Sequence, residues 1–465
     1  MPYGQAGFRE YSVRPSLKVT NHWLSSTRKR SGVWLAALLA GLAAAPAQPT
    51  NTPTTTLSNS PLQRLSLADA QRLAFEKNWD LLAAAAGVEA ATAQKIVARQ
   101  FPNPTLSQYS SLINVDNHAS STPEGNGVWD RSYDTIFAIN QLFEIGGKRR
   151  TRKLSAQAGF EGAKAQLFDA RRTLDLAVAK AYVAAAQAEE NVRVLLQSAG
   201  TLREEARIAE VRLGAGEISS SDKSQIEITA EQFELNAQSA KSAAAQARVA
   251  LEVLLGVPHP NADCKLSDRL EMLCAATTPL NTNSAGTWRP DVIAAEASVR
   301  KAEADLRLQK AMRVPDPTVL AQYEHEPPDN PNSVGFGVSF PVPLWNRNRG
   351  NILAAEATRE QARLAFEKAQ AEAVADIAVS RLAYNESLKR WRSYRDSIRP
   401  KSEQIRQTMA YAYQKGGASL LDLLVAERND NDIRLATAQA ASDMASAAAA
   451  FKAATEEIQP TQVKQ

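Results

Sequence analysis

Two spacings of apolar residues organise the chain. Val334, Phe336, Val338, Phe340 and Val342 alternate with Ser333, Gly335, Gly337 and Ser339. A period of two predicts a strand with one oily face and one small or polar face. Tyr133, Thr135, Phe137 and Ile139 predict an equivalent strand earlier in the chain, with a less clean alternation. A shorter strand precedes each of these, led by a proline motif: FPNPTLSQY at 101–109 and VPDPTVLAQY at 314–323. Polar loops join the strands of each pair, with Gly125 and Gly127 in the first and PPDNPN at 327–332 in the second.

After each strand pair the spacing changes to seven. Leu167, Leu174, Ala181, Ala188, Leu195, Leu202 and Ala209 form one row, and Ile377, Tyr384, Trp391, Ile398 and Ile405 form another. A sustained heptad predicts long helices packed as coiled coils. From Gly147 to Leu213 no proline interrupts, which gives roughly 100 Å of helix at 1.5 Å per residue. A globular core has no use for such a length; a tube or stalk has. The runs break at RLGAGEISSSD, 212–222, and at YQKGGASLLDLL, 413–424. Glycines there end helices with positive φ, and serines begin the next. A returning helix then spans about 221–256 in one half and 419–455 in the other.

The chain is therefore duplicated: helix, two strands, long helical hairpin, twice. The expected divisions are a signal peptide at 1–47, a linker at 48–65, a first repeat at 66–256, an inter-repeat segment at 257–288, a second repeat at 289–455 and a tail at 456–465. Four strands cannot close a barrel by themselves. They either pack on the helices as a small sheet or join strands from other copies.

Composition narrows the function. The net charge is +4 over 465 residues, too diffuse for a nucleic-acid binder. Much of the apolar content is alanine, which suits helices that approach closely. RKRSGVWLAALLAGLAAAPA at 28–47 has the basic start, apolar middle and small-residue end of an export signal. Beyond it no apolar run is long enough for a membrane-spanning helix. In an exported chain, the single close pair Cys264 and Cys274 suggests a disulfide. No nucleotide-binding or metalloprotease motif is present, and the four histidines are scattered, so neither an enzyme nor a cofactor is expected.

Duplicated strands followed by very long hairpins, in an exported chain, resemble the TolC family of outer-membrane efflux proteins. QLFEIGGKRR at 141–150 and PVPLWNRNRG at 341–350 resemble its heavy-metal cation efflux branch, the CzcC-like proteins. The resemblance implies an α+β membrane protein. Three chains would give four strands each to one 12-stranded β-barrel, continued by an α-helical coiled-coil tunnel across the periplasm. It implies passive conduction, with a homotrimer, outer-membrane lipid, a periplasmic adaptor (membrane fusion) protein and an inner-membrane resistance-nodulation-division type pump as partners. Other readings are a drug, solvent or general export tunnel, and a periplasmic coiled-coil scaffold without a pore.

The resemblance also gives the candidate residues roles. Gly146, Gly147, Trp345, Asn346, Asn348 and Gly350 would be the joints where barrel strands enter tunnel helices. Lys148, Arg149, Arg150, Arg347 and Arg349 would lie at the membrane surface there. Gly216, Asp222, Gly417 and Asp422 would form the periplasmic tips, with the aspartates as a carboxylate ring and Arg212 and Arg428 as gate ion-pair partners. Against these roles stands plain helix capping at two surface turns.

Overall fold

The computed structural model describes residues 64–111, 134–275, 286–326 and 330–458. The export signal, the linker up to residue 63, the loop with Gly125 and Gly127, Tyr133, residues 327–329 of PPDNPN and the tail beyond 458 lie outside the described residues.

The duplication is visible in the order of elements. The first repeat holds α1 (Leu67–Lys77), α2 (Trp79–Arg99), β1 (Thr105–Ser111), β2 (Asp134–Leu142), α3 (Lys148–Gly214) and α4 (Ser220–Leu254). A short helix, α5 (Leu270–Ala275), lies between repeats. The second repeat holds α6 (Pro290–Ala311), β3 (Thr318–Glu326), β4 (Asn330–Ser339), α7 (Arg349–Ser393), α8 (Arg399–Gln414) and α9 (Leu420–Thr455). The single helix expected before β1 is two helices. Asn78 ends α1, and its side-chain oxygen accepts from the Leu81 amide to start α2.

Helix α3 runs 67 residues without a break. Its heptad row faces inward: Leu174, Leu195, Leu202 and Ala209 are buried against α4, α9 and the inter-repeat segment. The second long run departs from the expected single helix. Residues Tyr394–Ile398 form a π-helical turn, where the Arg399 amide reaches back to the Tyr394 carbonyl. Pro400 has no amide to give, and the widened turn ahead of it absorbs that loss. A π-turn adds one residue and rotates everything after it by about 100°. Trp391, before the bulge, is buried, whereas Ile398 and Ile405 turn outward and Ser402 takes the inner position.

The four strands form one antiparallel sheet in the order β1-β2-β3-β4. The register places Leu106, Ile139, Ala321 and Phe336 side by side on one face. Phe137, Tyr323 and Val334 flank them on that face, as do Val319 and Val338. The opposite face is mixed, carrying Ser107, Asn140, Thr318, Gln322, Ser333, Gly335 and Gly337 together with Tyr109, Ile136, Leu142 and Leu320. The outer strands β1 and β4 each keep one unpaired edge.

Two expectations are corrected. Cys264 and Cys274 are thiols, not a disulfide. Cys264 packs with α1 to α4, while Cys274 packs with Trp391 and α9. The segment between them is held in place separately: Leu65 bonds to Lys265 and Ser267, and the Tyr182 hydroxyl donates to the Leu65 carbonyl. The two side chains thus enter different clusters. Burial pushes both thiols up to about 12, leaving them unreactive at neutral pH. The second correction concerns α2, which is long and apolar enough by length and composition to cross a membrane. Its apolarity is largely alanine, and it packs along α3.

Candidate functional site

The sheet presents two unlike surfaces. Its apolar face stands open in the single chain, with Phe336 84% exposed and Val334 and Val338 also exposed. Burying such a face in hydrocarbon is favourable, but two bare edges in lipid are not. On the mixed face, Gly335 and Gly337 leave room for the Gln322 and Leu320 side chains of the neighbouring strand.

Each strand pair enters its long helix through a left-handed residue. Gly146 and Gly147 have φ of 73° and 77°, and Asn348 has φ of 58°. Gly147 and Asn348 both stand at the N-cap of the helix they open. The Asn348 side chain donates to the Gln309 carbonyl at 2.8 Å, and its amide donates to the Asn346 side chain at 3.0 Å. Gly350 lies inside the first turn of α7 with no left-handed backbone, so its freedom is not used. Trp345 is 93% exposed.

The basic cluster at the first joint is a set of fasteners more than a free charged surface. Lys148 is buried, its ammonium 2.7 Å from Asp316 and 2.6 Å from the Val314 carbonyl. The Arg149 guanidinium donates to the Arg99 carbonyl at 2.7 Å and stacks 3.8 Å from the Phe101 ring. Arg152 makes a paired contact with Glu144, the shorter at 2.6 Å. The cations at this helix N-terminus oppose the helix dipole, and the partners of Lys148, Arg149 and Arg152 offset part of the cost. Lys148 is therefore removed from the surface where it was expected.

At the far end, both hairpins turn in the same way. Gly216 and Gly416 take φ of 77° and 74°, and the next amide closes back onto Arg212 or Ala412. The left-handed residue of the second tip is thus Gly416; Gly417 occupies the place that Glu217 holds in the first and needs no special backbone. Asp222 and Asp422 then form reciprocal capping boxes. The Asp222 amide donates to the Ser219 hydroxyl at 3.1 Å, and the Ser219 amide donates back to its carboxylate. Ser419 and Asp422 do the same, and the Ser419 hydroxyl holds the Asp422 carboxyl below its ordinary value. Asp422 is exposed and Asp222 is half-buried. Arg212 ties the tips together, donating to the Gln414 carbonyl at 3.2 Å across from one hairpin to the other. Arg428 is exposed and makes no ion pair among the described residues.

Below the tips lies a buried charge network that sequence reasoning missed. Asp430 accepts from Ser402 at 2.9 Å and pairs with Arg434 at 2.7 Å and Arg406 at 3.4 Å. Arg406 also pairs with Glu427 at 3.2 Å. Burial pushes Glu427 up despite that cation. It likewise raises Glu205 of α3, with the Glu427 charge as the next cause. The spacing of Glu427, Asp430 and Arg434, one helical turn apart beside Leu423 and Leu424, was the available signal. Among the described residues no three His, Cys, Asp or Glu side chains converge as metal ligands.

The outer membrane efflux protein profile matches residues 71–257 and 283–456, one copy on each repeat. The chain belongs to the outer membrane efflux protein family. It is 24% identical over 364 residues to the cobalt-zinc-cadmium resistance protein CzcC of Cupriavidus metallidurans, covering 78% of this chain and 83% of that one. It is 25% identical over 305 residues to the nickel-cobalt-cadmium resistance protein NccC of Alcaligenes xylosoxydans xylosoxydans, covering 65% of this chain and 67% of that one. The pyoverdine export outer membrane protein OpmQ of Pseudomonas putida is 23% identical over 386 residues, with 77% and 78% covered. Among solved structures, CusC superposes with a TM-score of 0.69 at 18% identity, over 84% of this chain and 92% of that one. VceC of Vibrio cholerae gives 0.66 at 21% identity, over 84% and 96%. The fold is that of the trimeric TolC-type channels with a periplasmic helical tunnel. The family member is thus an outer-membrane transport protein reaching into the periplasm, and not an enzyme. Four strands per chain and two open edges are what a barrel shared by three copies requires.

Proposed function

We propose that this chain forms the exit channel of a tripartite efflux system that passes heavy-metal cations out of the cell. The observation that carries the metal reading is the pair of relatives named for resistance to cobalt, zinc, cadmium and nickel, the first spanning most of both chains. An inner-membrane resistance-nodulation-division type pump would supply the energy and the selection, and a periplasmic adaptor would join it to the tips. Conduction through the channel itself is passive.

The tip chemistry supports this reading. In a trimer, Asp222 and Asp422 would gather as rings of carboxylates where cargo enters. The Ser419 hydroxyl bond lowers the Asp422 carboxyl and so favours its ionised form. Such rings attract cations and repel one another, which favours a tip held together by ties such as Arg212 to Gln414. Asp222 and Asp422 cap their helices whether or not they line a pore, so the ring is a second role on a structural one.

A second reading, export of an organic cargo, is favoured by the likeness to OpmQ. Survival of a strain lacking the gene separates the two. Zinc, cobalt, nickel, cadmium and copper would be tested beside dyes and solvents, with the gene restored as control. Sensitivity confined to one or two cations supports the metal channel; sensitivity to dyes or solvents alone overturns it.

A further inference from the structure

The two joints of the chain are built on one plan but do not have the same partners. The first joint, from β2 into α3, docks on the proline motif that leads α6 into β3. Lys148 bonds to Asp316, the Ile145 amide donates to the same carboxylate at 2.9 Å, and a Cβ on Gly146 would come within 3.2 Å of Val314. The docking follows from strand order, because β2 and β3 are neighbours. The second joint, from β4 into α7, has no such neighbour in the chain, because β4 is an edge. In a barrel closed by copies, β4 of one chain pairs with β1 of the next. The second joint then meets the proline motif leading α2 into β1.

The duplication identifies the contacts. Lys148 and Arg349 are each the first residue of a long helix, after a left-handed N-cap. Asp316 of VPDPT and Asn103 of FPNPT hold the same place before β3 and β1. Arg349 and Asn103 are both exposed, and neither side chain has a hydrogen bond or ion pair among the described residues. The flanking helices agree. Helix α6 lies between α3 and α7, whereas α2 packs on α3 and leaves Trp79, Leu82, Ile96 and Val97 exposed. Leu353 and Leu364 of α7 are exposed in turn.

We propose that Arg349 of one copy seats against Asn103 of the next, so that the joints between chains lack the ion pair that locks the joint within each chain. Arginine facing a neutral amide keeps a hydrogen bond but loses the charge partner that Lys148 has in Asp316. Three joints of the trimer are locked and three are not, in alternation. The seams between chains are then the weaker places at the base of the barrel. This rests on the trimeric channel described above.

The test uses the purified full-length protein in detergent, heated in steps and resolved as trimer or monomer on a gel. Asn103→Asp restores a carboxylate at the seam and is expected to raise the dissociation temperature by about 2–4 °C. Adding Arg349→Gln to it abolishes the gain. A separate variant, Asn103→Cys with Arg349→Cys, is expected to give covalent dimers and trimers under mild oxidation. No shift with Asn103→Asp, a shift that survives Arg349→Gln, or monomers alone after oxidation would overturn the proposal. A wild-type protein that runs as a monomer without heating would instead overturn the trimer.

Discussion

Gly256 and Gly147 have the same left-handed backbone but different surroundings. At Gly256 a Cβ would stand 2.3 Å from the Lys77 carbonyl, where α4 ends against α1. At Gly147 it would meet nothing within 4 Å. Gly256→Ala is therefore expected to destabilise by about 3 kcal/mol or more, since backbone has to move, and Gly147→Ala by about 1 kcal/mol from φ alone. Thermal unfolding of the two variants measures the contrast; equal losses would contradict it. The buried network makes a second residue-scale prediction. Asp430→Ala strands Arg434 and leaves Arg406 with Glu427 alone, and is expected to cost about 3 kcal/mol, read in the same way. Glu205 bears the opposite sign. One of its carboxylate oxygens is buried without a hydrogen-bond partner, and its carboxyl is raised in the folded state. A raised folded value means that the ionised group opposes folding above it, and that the penalty disappears once both states are protonated. Glu205→Gln is expected to raise the melting temperature at pH 7 by about 2 °C, with the gain fading as pH falls through the raised folded value and gone below the ordinary glutamate value of about 4.3. A gain that grows in acid would contradict this.

The helices show which features a sequence discloses. The heptad of α3 was legible because each turn repeats the same local choice, and no residue interrupts it. The π-turn at Tyr394–Ile398 was not, although Pro400 marked its place. A proline signals a local disturbance, but whether it kinks, ends or widens the helix depends on what the following face packs against. Here Ser402 meets Asp430, and the oily row beyond Ile398 gives way to a polar seam. The tip aspartates were found from their spacing after the glycines, and their capping geometry was foreseeable from the serines. The thiols were misread because two cysteines ten residues apart disclose nothing about the separate clusters on either side of the segment that carries them. The buried charges were missed because a charged residue on an amphipathic helix normally faces water. Ser419→Ala removes one half of the second capping box and is expected to cost about 1 kcal/mol of local helix stability, seen as faster amide exchange in the first turn of α9 and not elsewhere. Uniformly faster exchange along α9 would contradict a local cap.

For the whole molecule, the central physical fact is incompleteness. A four-stranded sheet with an exposed apolar face, two bare edges and an exposed apolar flank on α2 is not a finished structure in water or in lipid. Copies of the chain close the two edges and offer cover for the α2 flank, and lipid covers the apolar face. The strand count left two readings, a small sheet packed on the helices or strands joined from other copies, and the open apolar face favours the second. Which cargo the channel carries was not readable in the sequence, because a passive conduit keeps its walls weakly binding and leaves selection to the pump. The most direct test follows the cargo. Cells with and without the gene would be loaded with zinc, cobalt, nickel or cadmium, moved to metal-free medium, and followed for retained metal by elemental analysis. The account predicts that cells lacking the gene hold at least one of these cations while cells carrying it release that cation, with dye release the same in both. Equal release of every metal, with dye retained only in cells lacking the gene, would contradict it.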